Sequence, residues 1–231
     1  MITPLQCAQV IASGYADAQS PVLPEGWALL DRVMMNPHLG PWGSEIVTGY
    51  LIGCGDEKAL IFLGTQDAAE WVNNFDSHAI SVVFNDGLSC FIEHGFFRMW
   101  CRCRLERAYR NLREYLWDKQ CNVTIAGHSL GGALACLAAR TANASHWYPR
   151  LITFGCPRVG DVSFAAKTGA YMDGNSAHWR NVHDLIPGLP PWLEPMHGPE
   201  ITFDSDALGI PADVVSRHKM PCYIVGVESK S

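Results

Sequence analysis

The stretch VTIAGHSLGGALACLAA, Val123 to Ala139, limits what this chain can fold into more than any other. A short β-branched run passes through Gly127-His128-Ser129-Leu130-Gly131 and continues into small residues at helical spacing, so a strand has to turn into a helix within a very tight bend. Such a bend leaves no room for large side chains where strand and helix pass, a demand that Gly127, Gly131, Gly132 and Ala133 meet. The serine at its apex is lifted above the sheet edge, where the N–H groups of the helix N-terminus face any negative charge that develops. A serine that only caps a helix explains neither the glycine on each side nor the entering strand. The pattern predicts a nucleophile elbow at Gly127–Gly131 with Ser129 as the nucleophile.

A serine hydroxyl is a poor nucleophile until a base takes its proton, and the base needs an acid to fix its tautomer. In folds built around this elbow the chain order is Ser, then Asp or Glu, then His. The acid belongs just past the end of a sheet strand. Asp184 fits, because HWRNV is strand-like and HDLIPGLPP breaks sharply into a Pro-rich turn. Asp161 and Asp173 are alternatives, each at a predicted helix edge where capping accounts for it. With Asp184 as acid the base is His197 or His218. Sequence order and the turn beside a predicted last strand favour His218, whereas His197 lies inside a long loop.

Strand-like runs are predicted at Val47–Ile52, Ala59–Leu63, Ser81–Phe84, Val123–Ala126, Leu151–Phe154, Trp179–Val182 and Tyr223–Val227. Helical patterns occupy Pro4–Asp17, Gly95–Asp118, Gly131–Thr141 and Val162–Met172. Alternation from Arg98 onward argues for an α/β fold with a mainly parallel central sheet flanked by helices. No repeat or Gly/Ser linker divides the chain, and its 231 residues are expected to form one domain, 1–231. The segment Pro187–Asp213, rich in Pro and Gly, reads as a long loop whose Trp192, Leu193, Met196, Phe203 and Leu208 suit a pocket wall.

A formal net charge of −6 deprives the molecule of the basic field that non-specific nucleic-acid binding needs. The arginines between Arg98 and Arg113 are read as the solvated face of a helix whose apolar stripe includes Leu105, Tyr109, Leu112 and Leu116. Nine cysteines, an odd number, and an N-terminus without a basic region and apolar core favour a reducing cytoplasm. A secreted protein whose leader has been removed reads the same way. No apolar run approaches a membrane span. Cys101 and Cys103 lack zinc-knuckle spacing and no HExxH occurs, so no metal site is expected.

VTIAGHSLGGALA, LITFGCPRVGD, RNVHDLIPGLPP and HKMPCY, with IFLGTQDAAEWVNNF and IEHGFF upstream, together resemble the class 3 lipases, the family of fungal triacylglycerol lipases and related feruloyl esterases. The resemblance runs from about Ala59 to Tyr223 in the family's order. It implies an α/β-hydrolase fold, a triad of Ser129, Asp184 and His218, and an oxyanion hole from Thr65 and the Leu130 N–H. It also implies hydrolysis of acyl esters, free or at a lipid surface, without a cofactor. The alternatives are a binding or signalling protein that has kept the fold and an esterase for non-lipid esters such as feruloyl esters. Leu63 stands where the family often has Arg, which removes any salt bridge that Arg makes. The lid-like segment Gln66–Phe75 carries small Ala68, Ala69 and Val72 beside one large apolar residue, Trp71, which argues against strong interfacial activation. Trp71, Phe91, Trp192, Leu193 and Met196 are candidate substrate contacts.

Overall fold

The computed structural model describes residues 1–36, 44–65, 78–118, 123–143, 149–170, 175–210 and 213–230. Helix α1 (Pro4–Ala16) begins with a capping box in which the Thr3 side chain accepts from the Gln6 N–H and Gln6 returns the bond, with Pro4 preset for the first turn. Strands β1 (Ala28–Met35), β2 (Ile46–Cys54) and β3 (Glu57–Phe62) follow as an antiparallel set. A separate hairpin, β4 (Ala79–Val83) and β5 (Ser89–Glu93), leads into α2 (His94–Arg102), β6 (Arg104–Leu105) and α3 (Leu112–Asp118). Then come β7 (Val123–His128), α4 (Leu130–Asn143), β8 (Arg150–Phe154), α5 (Val162–Ala170), β9 (Ser176–Asn181) and β10 (Glu200–Phe203), and finally α6 (Val214–His218) and α7 (Met220–Glu228).

The main sheet runs β10-β9-β8-β7-β3-β2-β1-β6, with β3, β7, β8, β9 and β10 parallel. Every residue of β7 is buried, as a central parallel strand covered on both faces has to be. On one face α4 packs its Ala-rich surface with Phe62, Trp100 and Phe164; on the other, α1 and α7 enclose Tyr50, Ile61, Phe154 and Tyr223. Registers align the strand ends: Phe62 pairs with Gly127, His128 with Phe154 and Phe154 with Trp179. The residues that follow β3, β7, β8 and β9 therefore emerge along one edge, where parallel sheets bind ligands.

Four expectations need correction. The run Tyr223–Val227 is helical, within α7: Pro221 sits in its first turn, and Tyr223, Gly226 and Val227 are buried on its inner side. The stretch Gly95–Asp118 is not one helix. It breaks at Cys103, and the Asp31 carboxylate captures the backbone N–H groups of Arg107 and Ala108, holding that loop against β1. The arginines there engage partners rather than forming a uniform solvated face: Arg104 pairs with Glu45 and its guanidinium lies 4.7 Å from the Tyr109 ring centroid, while Arg113 lies over Phe97. Finally, Pro187–Asp213 contains β10, and Phe203 is a core residue packed edge-on to Tyr223 rather than a pocket wall.

Candidate active site

Ser129 occupies the turn between β7 and α4 with φ of 56°, left-handed backbone that a non-glycine residue adopts only under constraint. Its N–H donates to the Phe154 carbonyl at 3.0 Å. The elbow's small residues are needed sterically: a Cβ on Gly127 overlaps the Gly131 carbonyl, and one on Gly131 comes within 2.6 Å of the Leu63 carbonyl oxygen.

The Ser129 hydroxyl lies 2.7 Å from His218 Nε2, and His218 Nδ1 lies 2.7 Å from Asp184 Oδ2. Because a carboxylate only accepts, Nδ1 carries the proton and Nε2 is the acceptor for Ser129 Oγ–H. The other histidine that the sequence left open, His197, is elsewhere, with its main chain against Gly169. Asp184 follows β9 in a turn, its N–H donating to the Asn181 carbonyl at 3.0 Å. Its Oδ1 accepts the Ile186 N–H at 2.9 Å and its Oδ2 accepts the Tyr223 O–H at 2.6 Å. Burial, with the adjacent Asp184 carboxylate, pushes the Tyr223 phenol well above its ordinary pKa, so it stays a donor. His218 ends α6, not a turn beside a strand; Lys219 then takes extended backbone before α7 starts. Ser129, Asp184 and His218 are 0%, 3% and 5% exposed, so their hydrogen bonds act in a low-dielectric setting.

Thr65 follows β3 beside the elbow, and its buried Oγ1 has no hydrogen-bond partner among the described residues. A buried hydroxyl left unpaired is costly. Leu130 opens α4, so its N–H is one of the first-turn donors the helix leaves unused.

The candidate contact residues scatter. Trp71 and the segment Gln66–Phe75 lie outside the described residues. Trp192 is 56% and Phe91 53% exposed, whereas Leu193 is buried and its carbonyl accepts from Arg158 Nη1 at 2.9 Å. Met196 lines a small cavity with Thr153, Cys156, Arg158 and His178. Sequence reading passed over Tyr223, Asn181 and Tyr15. Asn181 Nδ2 donates to the Arg217 carbonyl and to Ser205 Oγ, each at 3.1 Å, tying the strand that precedes Asp184 to the helix that ends in His218. Only His128, inside the elbow motif, had a visible signal. One surface group of potential metal ligands is found among the described residues, His183, Asp204 and Asp206. The Arg217 guanidinium already lies on the Asp206 carboxylate at 2.9 Å.

Solved structures place this architecture. The Lip2 lipase of Yarrowia lipolytica superposes with a TM-score of 0.63 at 17% identity, covering 87% of this chain and 78% of that one. A Rhizomucor miehei triacylglyceride lipase gives 0.63 at 17%, covering 88% and 80%. The fold is that of the α/β-hydrolases. A family model described as Lipase (class 3) matches residues 59–194, more than half of the chain. The chain belongs to the class 3 lipase family. It is 27% identical over 259 residues to phospholipase A1-II 7 of Oryza sativa subsp. indica, covering 92% of this chain and 63% of that protein. Against the secreted mono- and diacylglycerol lipase A of Penicillium cyclopium it is 32% identical over 136 residues, covering 57% and 42%. The chain thus spans less than two thirds of the length of these curated relatives.

Proposed function

We propose that this chain is a serine carboxylic-ester hydrolase that cleaves acyl esters of glycerol lipids through an acyl-enzyme. The observation that carries the reading is the continuous relay from Ser129 through His218 to Asp184, with the serine held on strained backbone at a helix N-terminus. Ser129 Oγ attacks the ester carbonyl carbon while its proton passes to His218 Nε2. Asp184 holds the resulting imidazolium, and Thr65 and the Leu130 N–H receive the oxyanion. Collapse breaks the C–O ester bond, and His218 returns the proton to the departing alcohol. Water, deprotonated by His218, then releases the carboxylic acid and restores Ser129. No step calls for a cofactor.

Relatives named as a phospholipase A1 and as a mono- and diacylglycerol lipase support glycerol-lipid esters as the substrate class. A lipid surface as the place of reaction is supported by exposed apolar residues flanking the relay. Val182 and Leu185 stand on either side of Asp184, and Val214 and Val215 on the helix that ends in His218. The net charge of −6 favours neutral or zwitterionic surfaces over anionic ones.

The test is hydrolysis of p-nitrophenyl esters of increasing acyl length by wild type and Ser129→Ala, at concentrations spanning aggregation. Wild type is expected to turn over the series, and Ser129→Ala to lose about 10^4-fold or more. Equal rates in the two proteins, or inertness of both, remove the reading.

A further inference from the structure

His128, the variable residue of the elbow motif, is buried beneath the proposed base. Its ring centroid is 4.8 Å from that of His218 at a tilt of 33°, and its Nε2 lies 2.7 Å from the His218 carbonyl oxygen. On its other side Nδ1 is 2.7 Å from the Tyr15 hydroxyl, which in turn takes the Gly64 N–H at 2.8 Å. Gly64 immediately precedes Thr65. A Cβ at Gly64 comes within 2.6 Å of the Tyr15 hydroxyl and 2.9 Å of Ser129 Cβ, so α1, the β3 turn and the elbow converge at this glycine.

The protons in this chain have one consistent arrangement. A carbonyl oxygen only accepts, so the His218 oxygen requires the proton on His128 Nε2. A neutral imidazole then offers Nδ1 as an acceptor, which the single Tyr15 proton fills, leaving a Tyr15 lone pair for the Gly64 N–H. Burial, and next the neighbouring His218 ring, hold His128 well below its ordinary pKa, which keeps it neutral. Burial likewise raises the Tyr15 phenol, which keeps its proton.

We propose that Tyr15 and His128 are positioning residues: one directional hydrogen-bond chain, from the Gly64 N–H through both side chains to the His218 carbonyl, sets the distance between the oxyanion turn and the base. The proposal rests on the reading of Ser129, His218 and Asp184 as the reacting groups. An ester ground state does not depend on that spacing. The tetrahedral transition state does, because it touches the Thr65 donors and the His218 proton at once.

The experiment measures kcat and KM on a soluble short-chain p-nitrophenyl ester for Tyr15→Phe, His128→Asn, the double variant and Tyr50→Phe, with thermal melts of each. Ser129→Ala is run beside them. Tyr50 is the control, another buried phenol, which packs at Gly14 and Leu63 beside this chain but donates to the Ala18 carbonyl at 3.0 Å rather than into it. Tyr15→Phe is expected to lower kcat about tenfold with KM within about twofold, as one buried hydrogen bond used in the transition state implies. The double variant is expected to lose no more than the worse single, because both cut the same chain. Tyr50→Phe is expected to lower melting temperature comparably while keeping wild-type kcat.

Multiplying losses, an unchanged kcat in Tyr15→Phe, or an equal kcat loss in Tyr50→Phe overturns the proposal. If Tyr15→Phe does not fold, His128→Gln, whose amide still reaches toward the His218 carbonyl, is compared with His128→Asn, whose amide does not. The glutamine variant is then expected to keep about fivefold more kcat, and equality overturns the proposal. Retained activity in Ser129→Ala removes the reading of the reacting groups instead, so the two failures are told apart.

Discussion

Among the described residues two buried histidines sit beside serine or threonine hydroxyls, and one of the two also has a carboxylate on its other nitrogen. His218 has Asp184 on Nδ1 and Ser129 on Nε2. His178, on β9, has the Thr153 hydroxyl 2.8 Å from Nδ1 and the His197 backbone as its other polar neighbour, with no carboxylate on either nitrogen among the described residues. Both rings are about equally hidden, at 5% and 9% exposure, so burial does not distinguish them. The carboxylate does. Without one, burial drives the pKa of His178 down to about 4, and the ring is locked neutral as a packing element. The serines differ as well. Ser129 sits on strained backbone at the end of a strand, whereas Ser176 lies within regular β-structure. A histidine near a hydroxyl is therefore not a site until an acid and a turn convert it into one.

The sharpest way to break that contrast is to take the acid from the proposed triad. Asp184→Asn keeps the shape but presents an amide to His218 Nδ1 that can donate, so the base loses its fixed tautomer. A kcat loss of about 10^4-fold with little change in KM is expected in steady-state ester hydrolysis. A loss of less than tenfold would place His218 in the same category as His178. The next effect is at Thr65. Thr65→Val removes the buried hydroxyl, which has no partner among the described residues, and leaves the backbone N–H, and a kcat loss of about 10^2-fold is expected. Thr65→Ser is expected to restore most of it, and a valine variant with wild-type kcat would return Thr65 to an ordinary loop residue.

The two histidines also show which parts of this molecule are legible from residues alone. The elbow is, because its sterics are local: glycines on both sides of Ser129 have one geometric explanation. Asp184 is, because a strand breaking into prolines marks a sheet edge. Choosing His218 over His197 is not settled by local pattern, since the distance that matters spans 89 residues of sequence. Thr65 came only from the resemblance: a donor following a strand looks like any threonine until the sheet register sets it beside the elbow. In the fold, β1 was overlooked because Asp31 interrupts its apolar pattern. That carboxylate is buried, satisfied by the Arg107 and Ala108 N–H groups that arrive from 76 and 77 residues away. The β-branched Tyr223–Val227 reads as a strand by propensity, and packing of α7 with α1 in a common core overrides it.

The smallest effect separates the histidines by stability rather than rate. In the unfolded chain His178 has its ordinary pKa of 6.5, and in the folded protein about 4. Between those values the unfolded chain binds a proton that the folded one does not, so stability is full above about pH 6.5 and falls as pH drops toward 4. The full contribution is on the order of 3 kcal/mol, at about 1.4 kcal/mol per pH unit. His128, also held neutral by burial, adds a loss of the same sign. His178→Asn keeps an amide within reach of the Thr153 hydroxyl and has no group that titrates. Urea unfolding from pH 7 to 4 is expected to show a slope shallower than wild type by up to one proton, with ester hydrolysis at neutral pH changed less than about threefold. Equal slopes would mean that His178 is protonated in the folded state. The contrast between the two histidines would then rest on Asp184 alone.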